Sequence, residues 1–484
     1  MSFNTPEFLL FFLVVTVGHF VLPYHKRWAW LLVASIVFYA ASSTAHVILL
    51  AVSTLLVYAL AILIARSVSP ARRKGFLVLG LVLELGMLFA FKYWGFLSDS
   101  LGTLFGWVGL AYQVPVWQAR LPVGISFYTF QMTGYLVDVY RGKLEPERHL
   151  GRLSLFALFF PQFVAGPIER AGSLLPQFRA HHSLSASRVS SGLRLALWGM
   201  FKKVVVADRL AVYVSAVYDS PDLHRGWPVV LATWFFAVQI YCDFSGYTDI
   251  ALGLARVLGY DLTENFAQPY LATSISGFWR RWHITLTSWF RDYLYIPLGG
   301  NRVTKTRWYV NLVAVFLLSG LWHGASWTFV LWGALHGFYR LVEIWTHDLW
   351  TKLRQRLGLE NHVLWTVAST LVVLNLVCFA WLFFRAGSFS DAFLLIGNMV
   401  RIGDSTGLHE PWTVSLGSPR LETAIGLVLV ALMAVVHLLR EYPKPVFVAI
   451  GRVRWVRWIV YLLLALAILN LGLPRETPFV YMQF

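Results

Sequence analysis

Two histidines lie within a stretch of this sequence that is otherwise apolar. Residues 316–338, "FLLSGLWHGASWTFVLWGALHGF", contain His323 and His336 among Leu, Trp, Phe and Gly. An ionisable side chain inside a membrane span is costly and usually faces a bundle interior or a cavity, with a partner. A buried neutral imidazole can accept a proton from a hydroxyl group. Each histidine is therefore either a candidate general base or a structural imidazole that hydrogen-bonds between helices.

The spacing of these histidines separates them on a regular helix. Their interval of 13 residues (336 minus 323) corresponds to about 220° of rotation, so a single span would aim only one of them at a site. We predict that one histidine carries chemistry and that the other is structural. Gly320 and Gly324 form a small-xxx-small pattern, which is typical of close packing between membrane helices.

Other signatures of catalysis are absent from the sequence. There is no Gly-x-Ser-x-Gly elbow, no Walker loop and no cysteine with a convincing neighbouring base. Cys242 and Cys378 stand alone in apolar sequence, without the spacing of metal ligands, and no metal site is predicted. Direct transfer to a hydroxyl group, with a histidine as base, fits this inventory better than a serine acyl-enzyme.

Two aspartates follow one of the long apolar stretches. The run "YCDFSGYTDIALG" places Asp243 and Asp249 six positions apart, which is about 240° around a regular helix. Carboxylates at membrane depth usually face the bundle interior or a wet cavity. Because one helix would not aim both at one site, we predict that Asp243 lines the site and that Asp249 is a structural partner of an arginine.

A basic and aromatic segment carries a further histidine. Residues 276–308, "SGFWRRWHITLTSWFRDYLYIPLGGNRVTKTRW", interleave arginines with Trp, Phe and Tyr and contain His283 near the start. This pattern is typical of a helix at a membrane interface, with aromatic rings at headgroup level and cations toward the cytoplasm. The alternative is a cradle for a phosphorylated or nucleotide-bearing donor, because arginine forks suit phosphate groups.

The elements that position these residues are predicted to be membrane helices. Of 484 residues, 58% are hydrophobic and 13% charged, whereas a soluble domain has about 25% charged residues. The mean hydropathy is +0.62. Apolar stretches near the roughly 20 residues that span a bilayer recur along the chain, for example at 8–22, 46–65 and 364–384. We predict an all-α polytopic membrane protein with roughly 11–13 spanning or re-entrant helices.

Proline and glycine interrupt two of the apolar segments, "LPVGISFYTFQ" (121–131) and "FFPQFVAGPIER" (159–170). Non-helical backbone at membrane depth is tolerated only where protein or a water-filled cavity satisfies the freed polar groups. We therefore predict broken or re-entrant helices around a cavity, and the alternative is kinked packing helices. The first apolar stretch follows "MSFNTPE", which has no basic region, so it is predicted to remain as an anchor. Without internal repeats, residues 1–484 are predicted to form a single membrane domain.

The net charge of +16 first reports membrane orientation, because Lys and Arg favour short cytoplasmic loops. It does not predict nucleic-acid binding. Basic residues concentrate at 24–28, 66–74 and 440–457, whereas 98–118 has none. This alternation predicts extracytoplasmic N- and C-termini and an external 98–118 loop. Residues 385–420 are predicted to form a second external loop with a short helix.

Several longer runs of the sequence resemble one protein family. They are "LPVGISFYTFQ", "FPQFVAGPIER", "DFSGYTDIALGLARVLGYDLTENFAQPY", "FWRRWHITLTSWFRDYLYIPLGGNR", "LSGLWHGASWTFVLWGALHG" and "WLFFRA". In content and order they resemble membrane-bound O-acyltransferases (MBOAT), specifically the bacterial branch of alginate O-acetyltransferase and its relatives. The resemblance is densest over 121–340, the predicted catalytic core, and leaves 363–484 as peripheral C-terminal helices.

The resemblance implies a bundle of helices around a central tunnel in the bacterial inner membrane. It implies transfer of an acyl group, in this branch acetyl, from a cytoplasmic thioester donor such as acetyl-CoA. The acceptor would be an extracytoplasmic polysaccharide hydroxyl or a periplasmic partner of the SGNH esterase fold. No tightly bound cofactor is implied.

The resemblance also implies roles for individual residues. The histidine of the "LWHG" motif, His323, would be catalytic, and the histidine of the "RRWH" motif, His283, would bind or orient donor or acceptor. His336 would be structural or line the tunnel. The predicted donor- or substrate-binding residues are Arg280, Arg281, Arg291, Trp282, Trp322, Asp243 and Asn265.

Two details of the site stay open at this level. The donor that stabilises negative charge on the tetrahedral oxygen could be His283, Trp322 or a main-chain amide near Gly320. Gly277 stands where an acidic residue more often precedes "FWRRWH", which puts in doubt an ion pair at the mouth of the donor site.

Two other functions compete with acetyl transfer. One is the D-alanyl transfer protein of teichoic acid modification, a branch of the same family whose donor is a carrier protein. The extra span after residue 420 favours the acetyl branch. The other is a transporter or flippase that moves an acylated intermediate without chemistry, but the inverted or parallel repeats common in transporters are not seen.

Overall fold

The computed structural model describes residues 3, 5–41, 43–110, 121–163, 166–360, 362–404, 419–473 and 479. Over this part of the chain the regular elements are helices and no β-strand occurs, so the prediction of an all-α protein is confirmed. The α-helices are α1 (Pro6–Val21), α2 (Tyr24–Ala40), α3 (Thr44–Arg66), α4 (Pro70–Leu88), α5 (Trp94–Trp107), α6 (Ile125–Tyr140), α7 (Leu150–Leu158), α8 (Phe160–Phe163), α9 (Ala171–Leu174), α10 (Ala186–Met200), α11 (Asp208–Tyr218), α12 (Trp227–Val257), α13 (Ile275–Trp279), α14 (Ile284–Phe290), α15 (Lys305–His323), α16 (Trp327–Arg356), α17 (Val363–Arg385), α18 (Phe389–Met399), α19 (Pro419–Glu441), α20 (Pro445–Arg452) and α21 (Arg454–Leu471). Short π-helical segments are Phe89–Tyr93, Phe201–Ala207 and Arg291–Tyr295, and short 3₁₀ segments are Leu175–Arg179, Pro269–Leu271 and Ile402–Asp404.

Six helices in the described ranges are long and apolar enough to cross a membrane. They are Thr44–Arg66, Pro70–Trp107, Trp227–Val257, Val363–Arg385, Arg420–Glu441 and Arg454–Leu471. The predicted spans at 46–65 and 364–384 are confirmed by α3 and α17. The count is lower than the roughly 11–13 spanning or re-entrant helices expected from apolar windows of about 20 residues, because other apolar windows fall on shorter, broken or more charged helices. α1, for example, has 16 residues.

The predicted helix breaks are present. Gly124 is left-handed (φ 75°) and α6 begins immediately after it. A Cβ atom there would lie 3.0 Å from the main-chain oxygen of Phe163, so a glycine is needed for both conformation and space. α7 ends at Leu158, α8 is a single short turn, and residues 166–170 are not helical. Proline and glycine therefore end helices in these segments as the sequence indicates.

The described residues form two compact units. One comprises Met1–Ala196 and Ile250–Thr263, and the other comprises Leu197–Asp249 and Glu264–Phe484. In the first unit α3, α4 and α6 pack together and α2 packs on α7. In the second, α15 and α16 form a helical hairpin, and α16 packs on α17. The predicted catalytic and donor-binding residues all belong to the second unit.

Parts of the predicted external loops fall on described residues. α18 confirms the short helix in the 385–420 interval, and α5 occupies the start of the 98–118 interval. The rest of these intervals, at 111–118 and 405–418, lies outside the described residues, as does the C-terminal tail after residue 473 apart from Phe479. The membrane side of these segments stays a prediction.

Candidate functional site

The stretch that contains His323 and His336 is two helices. α15 ends at His323, Gly324 is extended (φ −155°, ψ 146°), and the Ser326 hydroxyl accepts a hydrogen bond from the first turn of α16. The prediction of a single span with the histidines on opposite faces is therefore wrong. A serine before a helix is a strong N-cap, and it starts a new helix here even though the surrounding residues are apolar.

Glycines bring α15 and α16 into close contact. A Cβ atom on Gly320 would lie 2.2 Å from the main-chain oxygen of Phe329, and one on Gly333 would lie 2.3 Å from that of Phe316. The prediction that Gly320 packs helices is confirmed, but its partner across the contact is Gly333. Gly324 instead lies against the Phe329 ring, where a Cβ atom would come within 2.2 Å.

His323 is buried among aromatic rings contributed by three helices. Its ring centroid lies 5.0 Å from that of Trp332 in α16 and 5.4 Å from that of Phe384 in α17. The preceding residue, Trp322, lies 5.0 Å away. Burial disfavours the charged form of an imidazole, and the neutral form is the one that a general base requires. α17, assigned to the peripheral helices by the sequence, thus contributes to the site.

His283 directly precedes α14 and is fully buried. Its backbone is left-handed (φ 44°, ψ 56°), a conformation uncommon for residues other than glycine. Its Nδ1 atom lies 3.2 Å from Oδ1 of Asn265, and the main-chain oxygen of Asn265 accepts a hydrogen bond from Ile284 at 3.0 Å. Burial lowers the pKa of the His283 imidazole to about 3, so the ring is neutral at physiological pH.

Trp322 connects the two histidines. Its ring centroid lies 6.0 Å from that of His283 and 5.0 Å from that of His323. The structure therefore brings together two side chains that are 40 residues apart (323 minus 283). Asn265 belongs to the same group through its bond to His283. We call His283, His323, Trp322 and Asn265 the histidine cluster.

His336 borders the histidine cluster from α16. Its ring centroid lies 4.9 Å from that of Trp332, which contacts His323 on its other side, and 4.9 Å from that of Trp279. Its side chain is fully buried, and neither ring nitrogen has a hydrogen-bond partner in the described part of the chain. The structural or tunnel-lining role of His336 stays a prediction.

The three predicted phosphate-binding arginines differ in exposure and in their ion pairs. Arg280 and Arg291 are exposed. Arg291 forms an ion pair with the next residue, Asp292, at 2.8 Å, and Arg281 forms one with Glu441 at 2.9 Å. The Arg291–Asp292 pair is partly exposed, and ion pairs at exposed positions contribute little to stability.

Residues 276–308 do not form the single interfacial helix that their composition predicts. α13, α14 and a π-helical segment follow one another, and the left-handed His283 separates the first two. Trp282 is fully buried, with its ring 5.1 Å from that of Trp381 in α17. Composition could not predict this arrangement, because an aromatic residue packs equally well at headgroup level and in a protein core.

A carboxylate does reach the start of α13, although Gly277 is not acidic. Glu343 of α16 accepts hydrogen bonds from the main-chain N–H of Ser276 at 3.0 Å and from its hydroxyl at 2.7 Å. It also pairs with Arg340 at 3.2 Å. A negative charge at a helix N-terminus is stabilising, and here a residue distant in sequence supplies it.

Asp243 and Asp249 each pair with a buried lysine. Nζ of Lys203 lies 2.7 Å from Asp243 and 2.8 Å from Asp208, and Nζ of Lys202 lies 2.8 Å from Asp249. The prediction of an arginine partner for Asp249 is therefore wrong, because the π-helical segment after α10 presents two lysines to α12. Neither lysine was predicted as a partner of these aspartates. The run "FKKVVV" nevertheless places two consecutive lysines among apolar residues, which is itself a signal of buried pairing.

Asp243 is connected to the histidine cluster through its neighbour. Phe244 contacts the His283 ring edge-on, with centroids 4.7 Å apart, while the Asp243 carboxylate is occupied by Lys203. Among the residues searched in the described ranges, no group of three or more His, Cys, Asp or Glu could hold a metal ion. The chemistry available at this site is that of two imidazoles, an amide and indole rings.

Known proteins are similar in sequence to this chain over long spans. The sequence model of MBOAT, the membrane-bound O-acyltransferase family, matches residues 149–384. "Probable alginate O-acetylase AlgI" of Pseudomonas putida is 35% identical over 100% of both chains. "Peptidoglycan O-acetyltransferase" of Helicobacter pylori is 32% identical over 84% of this chain and 81% of its own length. "Teichoic acid D-alanyltransferase" of Bacillus subtilis is 26% identical over 55% of this chain and 69% of its own length.

The matched residues, 149–384, include all four residues of the histidine cluster. The match to the Pseudomonas putida protein extends over the full length of both chains at 35% identity. The six apolar helices agree with a multi-pass membrane protein, and the relatives are named as transferases, which argues against a transporter without chemistry. The chain is an O-acyltransferase and belongs to the membrane-bound O-acyltransferase family, in the branch of the bacterial alginate O-acetylases.

Proposed function

We propose that this protein moves an acetyl group from a cytoplasmic thioester, such as acetyl-CoA, to a hydroxyl group outside the inner membrane. The acceptor is a polysaccharide hydroxyl or a relay hydroxyl on a periplasmic partner of the SGNH esterase fold. The support is the set of relatives: those named for alginate or peptidoglycan O-acetylation match between 83% and 100% of this chain. The D-alanyltransferase of Bacillus subtilis matches 55%, which favours acetyl over D-alanyl as the transferred group.

His323 is the general base of the proposed reaction. It takes the proton of the acceptor hydroxyl as the oxygen attacks the thioester carbonyl carbon. The tetrahedral intermediate then collapses, the carbon–sulfur bond breaks, and the imidazolium returns the proton to the leaving thiolate. The products are an O-acetyl ester and a free thiol. The observation that carries this assignment is the shared contact of His323 and His283 with the Trp322 ring, in a buried environment.

The carbonyl oxygen becomes negatively charged during the attack and needs an N–H donor. Among the main-chain amides near Gly320, the third predicted source, that of Gly320 itself lies inside α15, where the helical hydrogen-bond ladder uses it. Trp322 and His283 are the two predicted donors whose side chains lie in the histidine cluster. Arg280, Arg281 and Arg291 are proposed to contact the donor's phosphates; Arg280 and Arg291 are exposed and Arg281 is half-buried.

The test uses purified protein in lipid nanodiscs with acetyl-labelled acetyl-CoA and an oligosaccharide acceptor. The wild type should release free thiol and label the acceptor, whereas His323→Gln should do neither while retaining the wild-type melting temperature. His347→Gln is the matched control, because His347 is exposed on α16. Wild-type rates in His323→Gln would refute the base assignment. Activity with an acetylated acyl carrier protein but not with acetyl-CoA would refute acetyl-CoA as the donor.

A second arm addresses the acceptor. The assay is repeated with the oligosaccharide alone, with a purified SGNH-fold partner alone, and with both. Label on the partner in the absence of glycan supports relay through its hydroxyl, and label on the glycan without the partner supports direct transfer. A wild type that transfers to neither would contradict an acetyltransferase function.

A further inference from the structure

Asn265 contacts three consecutive residues around His283. Its Oδ1 atom lies 3.2 Å from Nδ1 of His283, 3.1 Å from the main-chain nitrogen of Thr285 and 2.9 Å from the hydroxyl oxygen of Thr285. Its main-chain oxygen accepts a hydrogen bond from Ile284 at 3.0 Å. All four residues are in the second unit. Such contacts are what a left-handed, non-glycine backbone at His283 requires to persist.

The partners of Oδ1 determine which nitrogen of His283 carries the proton. A main-chain N–H is always a donor, so the Asn265 atom that faces Thr285 must be the amide oxygen and not the NH₂ group. Nδ1 of His283 faces the same oxygen and can bond to it only as a donor. In a neutral imidazole with a proton on Nδ1, the other nitrogen, Nε2, is an acceptor.

The choice of asparagine at this position is informative, because aspartate would satisfy the hydrogen bonds better. Nδ2 of Asn265 is buried and has no hydrogen-bond partner in the described part of the chain, and such an atom costs free energy. An aspartate would accept the same three hydrogen bonds and leave no such N–H group. What distinguishes the two is charge: a carboxylate next to His283 would favour the imidazolium form, and the amide does not.

Two aromatic rings also contact His283. Phe244 of α12 and Trp322 of α15 lie against the ring at centroid distances of 4.7 and 6.0 Å. Next to Phe244 in sequence, Asp243 is occupied by Lys203. The named partner with the means to select a tautomer is therefore the Asn265 amide.

We propose that Asn265 is a positioning residue of the transfer reaction: it keeps the proton on Nδ1 of His283, so that Nε2 accepts a hydrogen bond from a polar group of the acceptor other than the hydroxyl that His323 deprotonates. This inference rests on the proposed function and refines it. A neutral His283 with an accepting Nε2 cannot donate to the carbonyl oxygen. His283 therefore positions the acceptor, and of the two predicted side-chain donors to the oxyanion Trp322 remains.

The first experiment reads the tautomer without any substrate. Protein with ¹⁵N-labelled histidine in lipid bilayers is studied by solid-state NMR, and the His283→Gln variant identifies the His283 signals by their loss. The expected result at neutral pH is a protonated Nδ1 and an unprotonated Nε2. The opposite tautomer, or an imidazolium, overturns the inference even if acetyl transfer proceeds normally.

The second experiment compares pH–rate profiles of the wild type, Asn265→Asp and Asn265→Ala. In Asn265→Asp the three hydrogen bonds are kept but His283 becomes charged more easily, so the acid limb of kcat/KM should move to higher pH by at least one unit. Below the pH of that limb, kcat/KM should fall tenfold for each pH unit, and at alkaline pH it should recover. Asn265→Ala should lose rate at every pH. Gln355→Glu, the same amide-to-acid change at an exposed position of α16, is the control.

The outcomes separate this inference from the proposed function. An Asn265→Asp profile that superimposes on the wild type overturns the positioning role. If the NMR result holds but the wild type transfers no acetyl group, the proposed function fails and the tautomer assignment stands. If Asn265→Asp does not fold, the wild-type NMR spectrum still decides.

Discussion

Replacing Gly320 by alanine tests whether the contact between α15 and α16 sets the position of His323. The new Cβ atom would lie 2.2 Å from the main-chain oxygen of Phe329, whereas ordinary contact begins at 3.4 Å. The obstructing atom belongs to a helix backbone, so no side chain can rotate away. The two helices must therefore separate by about 1 Å (3.4 minus 2.2), and overpacking of this kind costs about 1–3 kcal/mol of stability.

The same displacement should affect catalysis, because His323 is the last residue of α15, less than one helical turn from Gly320. A misplacement of about 1 Å at a reacting group can lower the rate by about 10²-fold. We expect kcat for acetyl transfer to fall by about that factor in Gly320→Ala. The enzyme should remain folded, with a lower melting temperature.

The control is Gly337→Ala on the same helical hairpin. Its Cβ atom would lie 3.5 Å from Phe316 and from Val313, which is ordinary van der Waals contact. Both variants are assayed in the same nanodisc preparation for melting temperature, kcat and KM. Equal kcat values for the two variants would refute the reasoning. A loss of stability in Gly320→Ala without a loss of kcat would show that the helix contact does not position His323.

The remaining predictions concern buried polar groups. Lys202→Met leaves Asp249 without its partner at 2.8 Å and should lower the free energy of unfolding, measured by chemical denaturation, by about 3–5 kcal/mol. The double variant Lys202→Met/Asp249→Leu should regain most of that stability. Equal losses in the single and double variants would exclude the ion pair as the cause. His336→Phe removes ring nitrogens that have no hydrogen-bond partner in the described ranges, so the melting temperature should not fall. Acetyl transfer should continue. If the variant is stable but inactive, His336 takes part in the reaction. Burial raises the pKa of the Glu169 carboxyl from 4.5 to about 7. Between these two pH values the carboxyl keeps its proton in the folded protein and loses it in the unfolded protein. The free energy of unfolding should therefore fall as the pH rises from 4.5 to about 7. Melting temperatures from about pH 4 to 8 should show this slope in the wild type and a flatter one in Glu169→Gln.

Local signals in the sequence predicted the parts of the fold that depend on them. Uniformly apolar stretches became α3 and α17, because hydropathy over one helix length decides whether it can enter a bilayer. The break at Gly124 was also predictable, because glycine and proline limit the backbone at their own positions. The break after His323 was missed, because a window of about 20 residues averages over a short turn. Gly324 and Ser326 carried the signal for that turn.

Contacts between residues distant in sequence could not be predicted from local sequence patterns. Spacing left His323 and His336 as equal candidates, and only the family resemblance connected His323 with His283. Nothing local indicates that Lys202 and Lys203 face the aspartates of α12 or that Asn265 bonds to His283, because each pairing depends on how separate helices pack. The left-handed backbone of His283 was equally invisible, since its residue type gives no reason to expect it.

In the second unit, the described neighbours of Lys202 and Lys203 differ from those of His323, and this difference has a chemical consequence. Lys202 and Lys203 are each bonded to carboxylates, whereas the rings that contact His323 are those of Trp and Phe. Proton transfer from a hydroxyl to His323 creates two opposite charges in contact. At about 4 Å their attraction is about 1 kcal/mol in water and about 4 kcal/mol at an effective dielectric constant of 20. A permanent cation beside the imidazole would oppose its protonation. The Trp and Phe rings that contact His323 carry no such charge, so they do not oppose the protonation of His323 in the proposed reaction.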